Sequence, residues 1–252
     1  MNLNDIYNSI IIPWIIFGLI TFFLLFFITA PYGRHNKKMG TMINGKWGWI
    51  IQEIISPLTF GYFFLAGNSI KTPAMWIFFI LWIGHYFYRS ILYPFRQKNV
   101  KETAVIVMLS AILFNIVNGF LNGYYLGSNH MTQELYVNYL SSWNFIIGII
   151  VFIIGVIINV KSDNILFDLR KESEGYKIPK TFMYKYISCP NYFGEIIEWA
   201  GFSIMVWSLP SLAFLLWTIF NLVPRAISHH KWYYSNFSDY PKSRKAIIPY
   251  IL

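Results

Sequence analysis

Apolar runs recur from one end of this chain to the other, separated by short polar bursts. The runs at 10–29, 48–66, 73–93, 103–125, 141–160, 193–208 and 211–228 predict helices. Each approaches the ~20 residues needed to cross a ~30 Å hydrocarbon core. The sixth is the shortest and is cut off by Pro210. The expected fold is therefore all-α: a polytopic membrane bundle of seven transmembrane helices.

Three carboxylates interrupt this pattern. Glu53 follows Trp47-Gly-Trp-Ile-Ile51, and Glu195 and Glu198 sit within Asn191-Tyr-Phe-Gly-Glu-Ile-Ile-Glu-Trp199. A charge at bilayer depth costs several kcal/mol, so it normally faces a cavity or a partner. Either these residues line one polar chamber, or they lie near the interface and snorkel toward water.

Composition agrees with a membrane solvent. Of the residues, 56% are hydrophobic and only 12% charged, against about 25% charged in a soluble domain. The net charge of +9 raises the question of nucleic acid, but its distribution answers otherwise. Eighteen of the twenty Lys and Arg fall in the first, third and fifth loops and the C-terminal segment, with Lys71 opposite and Arg89 inside a helix. That alternation is the positive-inside pattern. It orients the N-terminus outside and the C-terminus in the cytoplasm, and a basic cytoplasmic face also suits a phosphorylated ligand. The first apolar run lacks a basic n-region and ends on Gly33-Arg-His-Asn-Lys-Lys38, so it reads as a span rather than a cleaved signal. With no linker, repeat or low-complexity tract, residues 1–252 are expected to form a single domain. The lone Cys189 allows no internal disulfide.

Residues three, four or seven apart share a helix face. On the fourth span Asn115, Asn118 and Asn122 form one polar stripe, and Gly119, Gly123 and Gly127 form a small-residue stripe suited to close packing. The asparagines serve either as interhelical glue or as ligand contacts. His85 and Arg89 share a face of the third span beside Tyr86, with Tyr93-Pro94 closing it. Further stripes are Asn159 with Asp163, then Asn191, Glu195 and Glu198, then Arg225, His229 and Tyr233. No G-x-G-x-x-G, Walker A, H-E-x-x-H or G-x-S-x-G motif occurs. One Cys and scattered His give no metal-ligand cluster, so no metal site is expected. A cofactor, if any, is held by the helices and their cytoplasmic loops.

Several segments carry a family resemblance. Tyr186-Ile-Ser-Cys-Pro-Asn-Tyr-Phe-Gly-Glu-Ile-Ile-Glu-Trp199, Arg225-Ala-x-x-His-His-x-x-Tyr233 and Asp239-Tyr-Pro-Lys-Ser-Arg-Lys-Ala-Ile-Ile-Pro249 closely resemble steroid 5-alpha-reductases. Upstream, Ala30-Pro-Tyr-Gly-Arg34, Trp49-x-x-Gln-Glu53, His85-Tyr-Phe-x-Arg89, Asn118-Gly-x-x-x-Gly-Tyr-Tyr125 and Ile158-Asn-x-x-Ser-Asp-x-Ile-Leu-x-x-Leu-Arg170 match in order and spacing. The resemblance covers nearly the whole chain. It departs at Tyr88, where relatives often have His, at Ser228, where they have a longer His run, and at Asn122, where Gln is common. These changes bear on the substrate pocket.

The resemblance implies NADPH-dependent reduction of the Δ4 bond of a 3-oxosteroid. It implies that Gln52, Glu53 and Tyr86 engage the steroid carbonyl. Enone reduction places negative charge on that oxygen, and donors aimed there lower the barrier. To donate, Glu53 must be protonated, a state that burial favours; otherwise it orients Tyr86 as an acceptor. The resemblance also implies a cofactor grip by Asn159, Asp163, Arg170, Tyr176, Asn191, Glu195, Arg225, His229 and Tyr233. Arg170, Arg225 and Arg96 suit the phosphates by bidentate contact. A flat lipid is expected to enter an apolar, aromatic-rich interior from the bilayer.

The alternatives are a membrane methyltransferase that modifies isoprenylated cysteine with S-adenosylmethionine, and a non-enzymatic lipid-binding protein. The Gln52–Glu53 and His85–Tyr86 pairs favour the reductase. Expected partners are the steroid or a related enone lipid and membrane lipids; nothing points to nucleic acid or a protein partner. An Asn/Ile/Lys-rich composition points to a bacterial inner membrane, with the endoplasmic reticulum as the eukaryotic equivalent.

Overall fold

The computed structural model describes residues 2–31, 33–35, 37–98, 100–128, 136–171 and 175–252. Tyr32 of the Ala30–Arg34 motif and residues 129–135 of the fourth loop lie outside the described residues. Among those described, seven helices form: α1 (Leu3–Phe27), α2 (Gly45–Ala66), α3 (Pro73–Arg96), α4 (Val105–Ser128), α5 (Trp143–Lys171), α6 (Pro190–Val206) and α7 (Leu209–Asn236). Beside them lies a small ribbon, β1 (Met42–Ile43) antiparallel to β2 (Thr103–Ala104), with Met42 opposite Ala104. All the helices except α6 are long and apolar enough to cross a membrane. The chain is thus an all-α, multi-pass integral membrane protein. Large apolar side chains stay exposed along α1, from Ile12 to Phe27 at 86%, a surface that belongs in lipid rather than water.

Two helices run past their expected ends, α5 beyond 160 to Lys171 and α7 beyond 228 to Asn236. Hydropathy marks where the chain leaves lipid, whereas the backbone continues until a breaker appears, and neither extension contains Gly or Pro. The short helix α6 ends at Trp207, whose φ of 50° is left-handed and whose N–H returns to Ser203 O. Pro210 occupies the first turn of α7, where its missing N–H is no loss.

The chain divides into two compact units: 1–12, 30–146 and 208–210 in the first, 13–29, 147–207 and 211–252 in the second. Each of α1, α5 and α7 contributes residues to both.

In the first unit the α4 glycine stripe lies directly on α2. A Cβ on Gly123 would come within 2.5 Å of Phe60 O, and one on Gly127 within 2.3 Å of Phe63 O. Such approach lets dispersion hold helices together where lipid removes the hydrophobic drive. Past the helix ends, the Lys71 ammonium reaches the carbonyls of Gly67, Ser69 (2.8 Å) and Gly127 (3.3 Å). It thereby caps the C-terminal ends of both α2 and α4. Phe60 stacks on Trp82 at 4.7 Å, extending the packing to α3.

In the second unit α5 and α6 meet through glycines from both sides. A Cβ on Gly155 would lie 2.2 Å from Glu198 N, and one on Gly194 would lie 2.4 Å from Asn159 N. Trp217 of α7 donates its indole N–H to Trp14 O at 3.0 Å. The segment after α7 folds back: Ile187 pairs in parallel with Lys245, and Ser188 N and Cys189 N donate to Lys245 O and Ala246 O.

Candidate active site

In the first unit, Asn44 starts α2 by accepting from Lys46 N (3.1 Å) and Trp47 N (3.3 Å), an N-cap that satisfies orphan donors. Two turns on, Gln52 and Glu53 are half-buried, and Gln52 Nε2 donates to Glu53 Oε1 at 3.1 Å. Asn115 of α4 donates to Gln52 O at 2.7 Å, tying this turn across the helix pair. Asn122 donates to Asn118 O and Pro210 O, and Asn118 to Phe114 O. The amide donors of this stripe go to backbone carbonyls, within α4 and on other helices, which supports the glue alternative over ligand contact.

Tyr86 of α3 is 4% exposed, with Trp82 (5.6 Å between ring centres) and His85 (5.1 Å) against it. Immediately after it, the helix widens into a π-turn, Tyr88–Leu92, before closing on Tyr93–Arg96. Ser90 Oγ donates to Tyr86 O at 2.6 Å. Arg89 places its guanidinium over Trp49 (5.1 Å) and Tyr93 (4.5 Å). Arg96 ends the helix, exposed.

In the second unit, Asn159 Nδ2 donates to Asn191 O at 3.0 Å, and Asn191 Nδ2 donates to Asp163 Oδ1 at 3.1 Å. Asn159 and Asp163 are almost fully buried, while Asn191 and Glu195, one turn apart on α6, are half-buried. On α7, Arg225 and His229 flank one ring: the Arg225 guanidinium lies 5.7 Å from the Tyr192 ring centre, and Tyr192 OH and His229 Nε2 are 3.1 Å apart. His229 is 7% exposed, so it does not sit on a solvated helix end. Arg170 is half-buried in the last turn of α5. Tyr176 is exposed, its ring against Trp232 at 5.0 Å. Tyr233 packs with Ile178 and Tyr240 in a small core, stacked on Tyr240 at 5.2 Å.

Three residues of the site stand inside the quoted motifs with no role assigned to them there. Tyr192 follows Asn191 and precedes Glu195 by three, so its place on the same helical face is a legible signal. Ser188 Oγ joins His230 Nδ1 (2.6 Å), Tyr240 OH (2.6 Å) and Lys245 O (3.0 Å), pinning the returning segment. Arg244, 3% exposed, donates to Pro179 O at 3.1 Å and lies 4.9 Å from the Tyr240 ring centre. No spacing rule marks the last two, because their partners lie 42 to 65 positions away.

Comparison with known proteins decides the family. The model for 3-oxo-5-alpha-steroid 4-dehydrogenases matches residues 101–252. Steroid 5-alpha-reductase DET2 of Gossypium hirsutum is 37% identical over 257 residues, covering 98% of both chains. The chain belongs to the steroid 5-alpha-reductase family. The Arabidopsis thaliana DET2 protein is 37% identical over 90% of each chain. The 3-oxo-5-alpha-steroid 4-dehydrogenase 1 of Rattus norvegicus is 36% identical over 89% of this chain and 87% of its own. This steroid 5-alpha-reductase family member is accordingly an oxidoreductase, and NADPH is the reductant of its family. The residue types in the second unit suit such a cofactor: guanidinium groups pair with phosphates, and amides and carboxylates pair with a carboxamide and ribose hydroxyls.

Proposed function

We propose that the protein reduces the Δ4 double bond of 3-oxosteroids, giving 5-alpha-reduced 3-oxosteroids. The observation that carries this reading is the near full-length likeness to proteins named for that activity, together with an acid–amide pair and a buried phenol in the first unit. When bound, NADPH supplies the hydride for C5.

Tyr86 donates its phenolic hydrogen to the C3 oxygen, where negative charge develops as the enone becomes an enolate. Glu53 acts with it, either by donating in its protonated form or by accepting from Tyr86 and so fixing the phenol. Gln52 holds the Glu53 carboxyl through its amide. Tyr86 keeps its proton and only hydrogen-bonds the oxygen, and the enolate then takes a proton from solvent at C4, completing the reduction. The apolar walls around Tyr86 keep water from competing for the donors.

Arg170 and Arg225 would hold the cofactor phosphates, and Arg96 has the same bidentate chemistry for a phosphate. His229 and Tyr233 would support that grip from α7, and Tyr176 from the segment after α5. Asn159, Asp163, Asn191 and Glu195 would hold the nicotinamide end. The chain works as one domain, since three helices are shared between its units. It crosses the membrane seven times, counting α6, with the basic loops and C-terminus in the cytoplasm; eighteen of twenty Lys and Arg on one side support that orientation.

The deciding experiment is anaerobic incubation of the purified protein with NADPH and a panel of Δ4-3-ketosteroids. Mass spectrometry and NMR should show 5-alpha products with matching loss of NADPH. A folded sample that leaves NADPH unoxidised across the whole panel overturns the proposal.

A further inference from the structure

The hydrogen-bond register of α3 changes in the turn after Tyr86. Within Tyr88–Leu92 the hydrogen bonds run five residues back, so Tyr93 N–H returns to Tyr88 O. An α-helix would have sent that same N–H to Arg89 O. The next donor in the wider register belongs to residue 94, which is proline and has no N–H.

Trp49 of α2 donates into this turn from a neighbouring helix. Its indole N–H reaches Arg89 O at 2.9 Å, across forty positions of sequence. The same ring lies under the Arg89 guanidinium at 5.1 Å, which also faces Tyr93. Trp49 stands three and four positions before Gln52 and Glu53, hence on their face of α2. One indole therefore couples the turn carrying Gln52 and Glu53 to the turn that follows Tyr86.

We propose that Trp49 is a positioning residue for the reduction: its N–H holds the π-turn in register and so sets the rotation of the Tyr86 phenol. Collapse of the π-turn to α-helix would rotate the two halves of α3 by about 100° per residue of slip, and a 1 Å misplacement can cost on the order of a hundredfold in rate. The inference rests on the assignment of Tyr86 as the carbonyl donor.

The test is a cycle of Trp49→Phe, Tyr86→Phe and the double variant of the full chain, assayed with NADPH and progesterone. Trp49→Phe keeps the ring for Arg89 but removes the donor. It should lower kcat at least about tenfold while steroid KM and NADPH Kd stay within about twofold. In the Tyr86→Phe background it should cause no further loss. Pro94→Ala, which restores a backbone N–H beside Arg89 O, should recover part of the Trp49→Phe loss. An equal loss from Trp49→Phe in both backgrounds, or none in either, overturns the positioning role. A parent-like rate for Tyr86→Phe alone instead overturns the assignment beneath it. Should Trp49→Phe not fold, replacement of Trp49 by 3-benzothienylalanine, which keeps the bicyclic ring and removes only the N–H bonded to Arg89 O, takes its place in the cycle, and the same two results overturn the same two assignments.

Discussion

Asn191 on α6 donates its side-chain amide to Asp163 on α5, while its own backbone carbonyl accepts from Asn159 one turn away. The two helices thus read each other through a single residue, used at both its side chain and its main chain. That reciprocity is possible because Gly194 and Gly155 leave no Cβ between the backbones. Removing one partner of a buried hydrogen bond to a charged group costs about 1–3 kcal/mol.

Asn191→Ala should therefore weaken NADPH binding about tenfold or more, as read by fluorescence titration. An unchanged affinity would remove Asn191 from the cofactor grip.

Gly194→Ala places a methyl group against Asn159 N, and overpacking of this kind costs about 1–3 kcal/mol. We expect a lower Tm and weaker NADPH binding. Gly84→Ala, where nothing lies within 4 Å, should leave both unchanged, and equal losses in the two variants would count against the close-contact argument.

Tyr86→Phe should keep NADPH affinity and lose about a hundredfold or more in kcat, the usual size for deleting one donor to a developing oxyanion. Single-turnover assays with saturating NADPH separate these quantities.

Arg170→Ala should raise the NADPH Kd far more than it lowers saturated turnover, since the side chain is assigned to a phosphate rather than to the reacting carbonyl. Parallel titration with NADH is informative: if Arg170 serves the 2′-phosphate, the NADH affinity should hardly move. A uniform loss for both nucleotides would reassign it to the pyrophosphate.

His35, in the loop after α1, has its pKa held below the ordinary 6.5, chiefly by burial and then by the neighbouring Arg34 charge. As pH falls, the unfolded chain takes up this proton before the folded one does. The stability linked to His35 is therefore present above pH 6.5 and lost as pH falls through the lower folded value. Thermal unfolding followed from pH 8 to 5 should show that slope, flattened in His35→Gln; identical slopes in both proteins would refute it.

The sequence was most informative where lipid dictates the pattern. Apolar runs located the seven helices because the bilayer demands about twenty such residues in a row. Family motifs placed Gln52, Glu53 and Tyr86 on the first two of those helices after α1. Helix ends were less legible, since α5 and α7 continue past their apolar runs without a hydropathy signal. Tyr192 was within reach of a periodicity argument. Arg244 and Ser188 were not, because their roles depend on a returning segment whose contacts are long-range.

Membrane residence and helix number were thus decided by the linear order of residues, through transfer energies that each segment expresses alone. Which groups hydrogen-bond was decided only by tertiary structure. The Trp49 bond to Arg89 O and the Asn191 junction both depend on a donor from one helix meeting a carbonyl or carboxylate of another. Such a meeting depends on helix rotation and close approach in space, and neither is a property of any one segment.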